Sequence, residues 1–313
     1  MLNTMNIIFT IFAMIAFGFY LTKSKLIDEK IAKFIATLVV TYVVPATLIN
    51  NMMGYFTLDG LKSAGPALLA PFLSIFATYA ISFPVIWLLG IPKGQRGVFS
   101  ALFGFSNTIF VGLPVCIALF GNEAAPFALL TFAANSIMFW GIAAPSIRRD
   151  ANPGERVSWK ETLKKILSPA LITLIACFVL IMLRVPMPKV VMDTTRYIGS
   201  MSTPLALIYI GHILAGLGIK NLKCTRNLVF VCLGRFIISP LITIVLMKLF
   251  HIEGLIARVT IIQSAMPAMA QAPIVAAMYG SDTEFAATAV SLTTLIGLMF
   301  LPVYMYLFTV LGI

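Results

Sequence analysis

The chain has 313 residues, 60% of them hydrophobic and 11% charged, with a mean hydropathy of +1.01. Soluble domains carry roughly a quarter charged residues, so this composition excludes a soluble globular protein and indicates an all-α polytopic membrane protein. Its long apolar runs are not the short alternating strands of a membrane barrel. The net charge of +11 lies in loops between those runs, not in a basic stripe interleaved with aromatics, so it argues against nucleic acid as a partner.

Windows of about 20 apolar residues predict ten spans, at about 5–22, 32–51, 67–89, 97–120, 126–147, 168–184, 198–218, 228–249, 256–279 and 285–311. Lys23 and Lys25 follow the first run instead of preceding it, so a cleaved signal peptide is not expected. The longest polar loop, Arg148 to Lys165, divides the chain into a first five-helix repeat (1–147), a cytoplasmic linker (148–167) and a second repeat (168–313). Fifteen Lys and Arg fall in the odd-numbered loops and six in the even-numbered ones, with Arg235 alone inside a span. The positive-inside rule then puts both termini outside a plasma (cytoplasmic) membrane.

The halves repeat. Pro45, Pro84 and Pro114 are answered by Pro204, Pro240 and Pro273 at offsets of 159, 156 and 159 residues. PVCIALFGNE from Pro114 resembles PIVAAMYGSD from Pro273, with a glycine seven residues on in both. Prolines are common in membrane helices, so chance agreement is the competing explanation; the shared proline-to-glycine spacing counts against it. An odd number of spans per half inverts the second half, and inverted repeats with interrupted helices mark secondary transporters.

The predicted interruptions lie in the fourth and ninth spans. The fourth contains Ser106, Asn107 and Thr108, then Gly112 and Pro114. Proline cannot donate a backbone bond and frees the carbonyl four residues back. In lipid, such a break persists only where protein or a wet cavity covers it. The ninth reads IIQSAMPAMAQAPIVAAMYG, with Gln263, Ser264, Pro267, Gln271 and Pro273. Two antiparallel broken helices crossing near the midplane would turn half-helix N-termini, each partly positive, toward a shared cavity suited to an anion. Asn107, Thr108, Gln263 and Gln271 are candidate substrate ligands, and Gly112, Pro114, Pro267 and Pro273 form the expected crossover. The plainer reading is that these polar side chains only satisfy broken backbone.

Arg235 could neutralise an anionic substrate or snorkel to the cytosolic surface. His212, in IGHILAG, could couple a proton or simply hydrogen-bond between helices. Asn50, Asn51 and Asn135 read as helix-to-helix hydrogen-bonding residues. Cys116, Cys177, Cys224 and Cys232 lack metal-ligand spacing and read as apolar filler. No metal or cofactor is expected, although Na⁺ held by freed carbonyls, or H⁺, remains open as a coupling ion.

SNTIFVGLP, AMPAMAQAP and LVVTYVVPATL around Pro45, with the ten-span layout, resemble the auxin efflux carrier family over essentially the whole chain. That family includes bacterial malonate-type organic acid transporters and plant auxin exporters. The resemblance implies a scaffold domain and a core domain of crossed helices, as in bile-acid symporters and sodium–proton antiporters. It also places Asn107, Pro114 and Pro273 beside the substrate. Plant members carry an intramembrane acid in the core; here all eleven Asp and Glu lie in loops or at span ends, so a carboxylate proton relay is not expected.

The expected function is secondary transport of a small organic anion, a carboxylate such as malonate, malate or an auxin-like acid, by alternating access. A membrane sensor that binds such an acid without moving it is the alternative. An enzyme would need a nucleophile with its base, paired carboxylates or a metal cluster, and none of these groupings is visible. A homodimer is left open.

Overall fold

The computed structural model describes residues 2–55, 69–154, 159–216 and 225–311. Asp59, Lys62, Glu155, Arg156, Lys220, Lys223 and Cys224, with one end each of the third and seventh windows, lie outside the described residues. Those described form helices and turns, with no β-sheet.

The first half supplies α1 (Leu2–Lys23), α2 (Glu29–Leu38), α3 (Val44–Tyr55), α4 (Ala70–Leu89), α5 (Arg96–Gly104), α6 (Leu113–Phe120), α7 (Ala125–Met138) and α8 (Ala144–Ala151). After α9 (Trp159–Ile166) come α10 (Pro169–Met182), α11 (Lys189–Ser200), α12 (Ser202–Gly216), α13 (Arg226–Leu233), α14 (Ser239–Leu249), α15 (Gly254–Ser264), α16 (Ala272–Tyr279) and α17 (Thr283–Leu311). Five helical stretches among the described residues are long and apolar enough to cross a membrane: Glu29–Gly54, Ala70–Leu89, Asn122–Ala151, Lys189–Gly216 and Arg226–Leu249. The last helix makes a sixth if its 52° bend is counted within one span. Pro302 crowds the carbonyl of residue 298, where that axis turns.

At four other prolines the helix widens and continues. Four five-residue π turns, Val39–Val43, Thr108–Gly112, Phe139–Ala143 and Gly234–Ile238, each end two residues before a proline, at Pro45, Pro114, Pro145 and Pro240. Proline's missing N–H and bulky ring cannot fit the ordinary i→i−4 ladder. One wide turn absorbs both defects, and the helix continues. The carbonyl that Pro240 frees, on Phe236, accepts a 2.5 Å hydrogen bond from the Tyr304 hydroxyl.

The chain divides into two compact units, each drawn from both sequence halves. One comprises Met1–Leu68, Ile109–Leu130 and Leu167–Leu217; the other comprises Leu69–Thr108, Thr131–Ile166 and Gly218–Ile313. In the first, α1 and α12 approach until backbones touch: a Cβ on Gly18 would sit 2.3 Å from the Ile208 carbonyl oxygen, and one on Gly211 2.2 Å from that of Ile15. Glycine permits this close packing where lipid offers helices no hydrophobic drive to associate. In the second unit, Gly97 lets α5 press on the backbone of α8 at Ile147, and Gly104 lets it press on Tyr79 of α4. Phe105 lies edge-on to Tyr79 and Phe139, at 5.5 and 5.6 Å between ring centres. Ser74 and Thr78 of α4 hydrogen-bond Thr243 and Ser239 of α14.

Gly211→Val should drive α1 and α12 apart and lower the thermal midpoint in detergent, since overpacking costs about 1–3 kcal/mol or more. Gly54→Ala, whose Cβ would meet only the flexible end of Met192 at 3.9 Å, should leave the midpoint unchanged or slightly higher.

Candidate functional site: a bridge between two interrupted helices

The first interruption covers Phe105, Ser106 and Asn107, between α5 and the helical run Thr108–Phe120. It lies upstream of Pro114, which the wide turn Thr108–Gly112 accommodates within a continuous helix. The second interruption follows α15 and ends where α16 begins at Ala272, with Pro267 inside it and Pro273 in the first turn beyond.

The two interruptions pair as a single antiparallel β-bridge, Ser106 opposite Ala268. The Asn107 N–H donates to the Pro267 carbonyl at 2.8 Å, and the Met269 N–H to the Phe105 carbonyl at 3.1 Å. Backbone that has left its helix must find partners, and here each break supplies the other's. Three of the four outward-facing groups are met by side chains. Asn135 of α7 accepts from the Ser106 N–H at 3.2 Å and donates to its carbonyl at 3.0 Å, imitating a neighbouring strand. The Thr293 hydroxyl of α17 accepts from the Ala268 N–H at 3.1 Å.

Arg235 joins the bridge from the wide turn Gly234–Ile238 and is completely buried. Its Nε donates to the Met266 carbonyl and its Nη1 to the Phe103 carbonyl, both at 3.1 Å; its Nη2 donates to the Ser264 carbonyl and the Ser106 hydroxyl. Four of the five guanidinium N–H groups therefore serve the C-terminal ends of α5 and α15. A helix C-terminus carries about −0.5 elementary charge, so two such ends balance one guanidinium without a carboxylate. Gly234 makes room for this, since a Cβ there would strike the Phe103 ring at 2.4 Å. Arg235 does not snorkel.

Of the other sequence candidates, Asn107 and Thr108 are buried at the first break. Gln263 is fully buried one residue before the end of α15, and neither its Oε1 nor its Nε2 has a hydrogen-bond partner among the described residues. The Gln271 Oε1, at the start of α16, is likewise unpartnered. Gly112 and Pro114 fall in the other compact unit. His212 belongs to that unit too: its Nδ1 lies 3.2 Å from the Thr22 hydroxyl and its Nε2 3.5 Å from the exposed Glu29 carboxylate. Cys116 and Cys177 are buried and Cys232 half-buried. Thr293 was missed by sequence reasoning, Ser106 was named in the polar cluster of the fourth span without a role of its own, and Asn135 was read only as a helix-to-helix contact. The signal for Asn135 was an amide in an otherwise apolar span; Thr293, one of many span hydroxyls, gave none.

The sequence model of the family described as "Membrane transport protein", the auxin efflux carrier family, matches residues 4–305. The chain belongs to that family. An uncharacterized transporter of Methanocaldococcus jannaschii is 21% identical over 307 residues, covering 96% of this chain and 97% of the relative. Another, from Methanothermobacter thermautotrophicus, is 19% identical over 300 residues, covering 95% and 96%. This family member is thus a multi-pass membrane transporter with a small-molecule substrate, and a transporter is generally not an enzyme.

Two substitutions test the bridge in this family member. Arg235→Lys keeps the charge but loses the fork, and should lower unfolding stability by about 3 kcal/mol or more, in the range for breaking a buried charged network. Asn135→Leu strands two backbone groups at Ser106 and should cost about 2–4 kcal/mol. Thermal unfolding in detergent checks both, and a change below about 1 kcal/mol in either would contradict the assignment.

Proposed function

We propose that this transporter carries a small organic anion bearing a carboxylate, held where the two interrupted helices pair. Gln263 carries the reading. An amide buried without partners costs about 1–3 kcal/mol, a penalty that a substrate supplying donor and acceptor groups would remove. Charge supports an anion. Arg235 balances the C-terminal ends of the broken helices, whereas the N-terminal ends, at Thr108 and Ala272, keep their partial positive charge. The start of α16 has no side-chain cap. Asn107 and Thr108 at one break and Gln263 and Gln271 at the other supply neutral ligands for the carboxylate. Arg235 acts one step back, holding both breaks in register.

In this proposal the chain crosses the plasma membrane ten times as two inverted five-helix repeats with both termini outside. Transport follows alternating access, the compact unit that contains the bridge moving as a body.

Gln263→Met is the deciding variant, because it removes the unpartnered amide at nearly constant volume. It should hold or raise the thermal midpoint while lowering uptake of labelled malonate or malate into proteoliposomes by more than about tenfold, the scale of one lost charge-assisted bond. Asn107→Ala should abolish uptake in protein that still folds. Unchanged uptake in both variants would remove the bridge as the substrate site, and carboxylate binding with no accumulation in the wild type would make the protein a sensor.

A further inference from the structure

The second compact unit carries another built site, at its Lys- and Arg-rich end. The last turns of α4, the start of α5 and the end of α8 enclose an open groove of about 640 Å³. Its lining combines two chemistries. Phe83 and Trp87 of α4 line it and are 49% and 84% exposed. In a chain that spans a bilayer, such rings face lipid, and tryptophan collects at headgroup level. The lining contributed by α5 and α8 carries Arg96 and Arg149, with Ser100 and Asp150.

The arginines are available and the carboxylate is engaged. Arg96 is anchored through its Nε to the Ile91 carbonyl at 2.7 Å, and its two terminal nitrogens have no partner among the described residues. Arg149 is exposed and has none. Asp150 accepts the Gly97 N–H at 3.0 Å, which ties the end of α8 to the first turn of α5. The start of α5 is tied again where Gln95 bridges Asp282 and Asn227, at 2.7 and 2.8 Å, so the groove is held open by fixed helix ends.

We propose that this groove binds one anionic phospholipid, its phosphate between Arg96 and Arg149 and its acyl chains along Phe83 and Trp87. A free anion would use the arginines but would gain nothing from the two exposed rings. An apolar ligand would leave both guanidinium groups idle. A phospholipid matches both kinds of lining, and basic pockets between helices at a membrane face suit anionic headgroups.

The test titrates the full chain, purified in detergent, with phosphatidylglycerol and with phosphatidylcholine, reading bound lipid by native mass spectrometry. The wild type should prefer phosphatidylglycerol. Each basic side chain near an anionic lipid contributes about fivefold in affinity, so Arg96→Gln with Arg149→Gln should weaken phosphatidylglycerol roughly 25-fold and leave phosphatidylcholine unchanged. Arg149→Gln alone, at an exposed side chain, should still cost about fivefold, which keeps the test valid if the double variant fails to fold. Lys160→Gln with Lys164→Gln, outside the groove lining, should change little. The proposal falls if the groove variants bind phosphatidylglycerol like wild type, or if the lysine variants lose as much. It also falls if soluble glycerol phosphate displaces the lipid at equal concentration, because the site would then be one for a free anion.

Discussion

A buried guanidinium holding two helix ends is the constraint on which the second unit depends. Interrupting a helix inside a membrane exposes carbonyls at one end and amides at the other, and no water is present to receive them. Arg235 collects acceptors from both α5 and α15: the carbonyls of Phe103, Ser264 and Met266, and the hydroxyl of Ser106. A lysine in the same place would bring a compact charge with three donors on a flexible stem, and could not span acceptors arranged around a plane. The bridge between Ser106 and Ala268, with its flanking bonds to Pro267 and Phe105, then needs only neutral partners, which Asn135 and Thr293 provide.

The wide turns explain how so proline-rich a chain keeps its helices. At Pro45, Pro114, Pro145 and Pro240 the helix gains a residue in one turn and continues. At Gly234–Ile238 the device has a second consequence, because the π turn that makes room for Pro240 is also the one that carries Arg235. The carbonyl this releases on Phe236 is taken by Tyr304 of α17. Proline accommodation, the clamp and the last helix are therefore one connected arrangement.

Helix, membrane and the two interruptions were legible in the sequence because each rests on a local signal: apolar runs of spanning length, and polar residues with prolines inside two of them. The position of the first break was legible only in part, since the stretch offered both the Ser106–Thr108 cluster and Pro114. Pro114 drew attention by its missing donor, but the break lies at Phe105–Asn107, because the π turn cannot be foreseen from proline alone. Prolines matched by spacing do not share a local conformation either. Pro84 sits within an uninterrupted α4, whereas Pro240 follows a π turn. Arg235 was visible as the one charge inside a span, yet its contacts run to backbone distant in sequence, and no pattern in its own segment reports them. Gln263 gave the opposite lesson: sequence could offer it only as one of several polar residues, and burial without partners singles it out.

Counting partial charges links the clamp to selectivity. Two interrupted helices have four inner ends, two of about −0.5 and two of about +0.5 elementary charge. Arg235 balances the negative pair, committing four of its five N–H groups in doing so. The positive pair, at Thr108 and Ala272, is then left with a summed charge near that of one counter-anion. In the proposed site, amides at Asn107, Gln263 and Gln271 would orient a carboxylate there without the desolvation cost of a second buried guanidinium. An arginine placed directly on the substrate would bind an anion more tightly, but a carrier must also release it on the far side. In the proposed carrier, fixing the permanent charge behind the bridge and meeting the substrate with dipoles would keep binding reversible, as release on the far side requires.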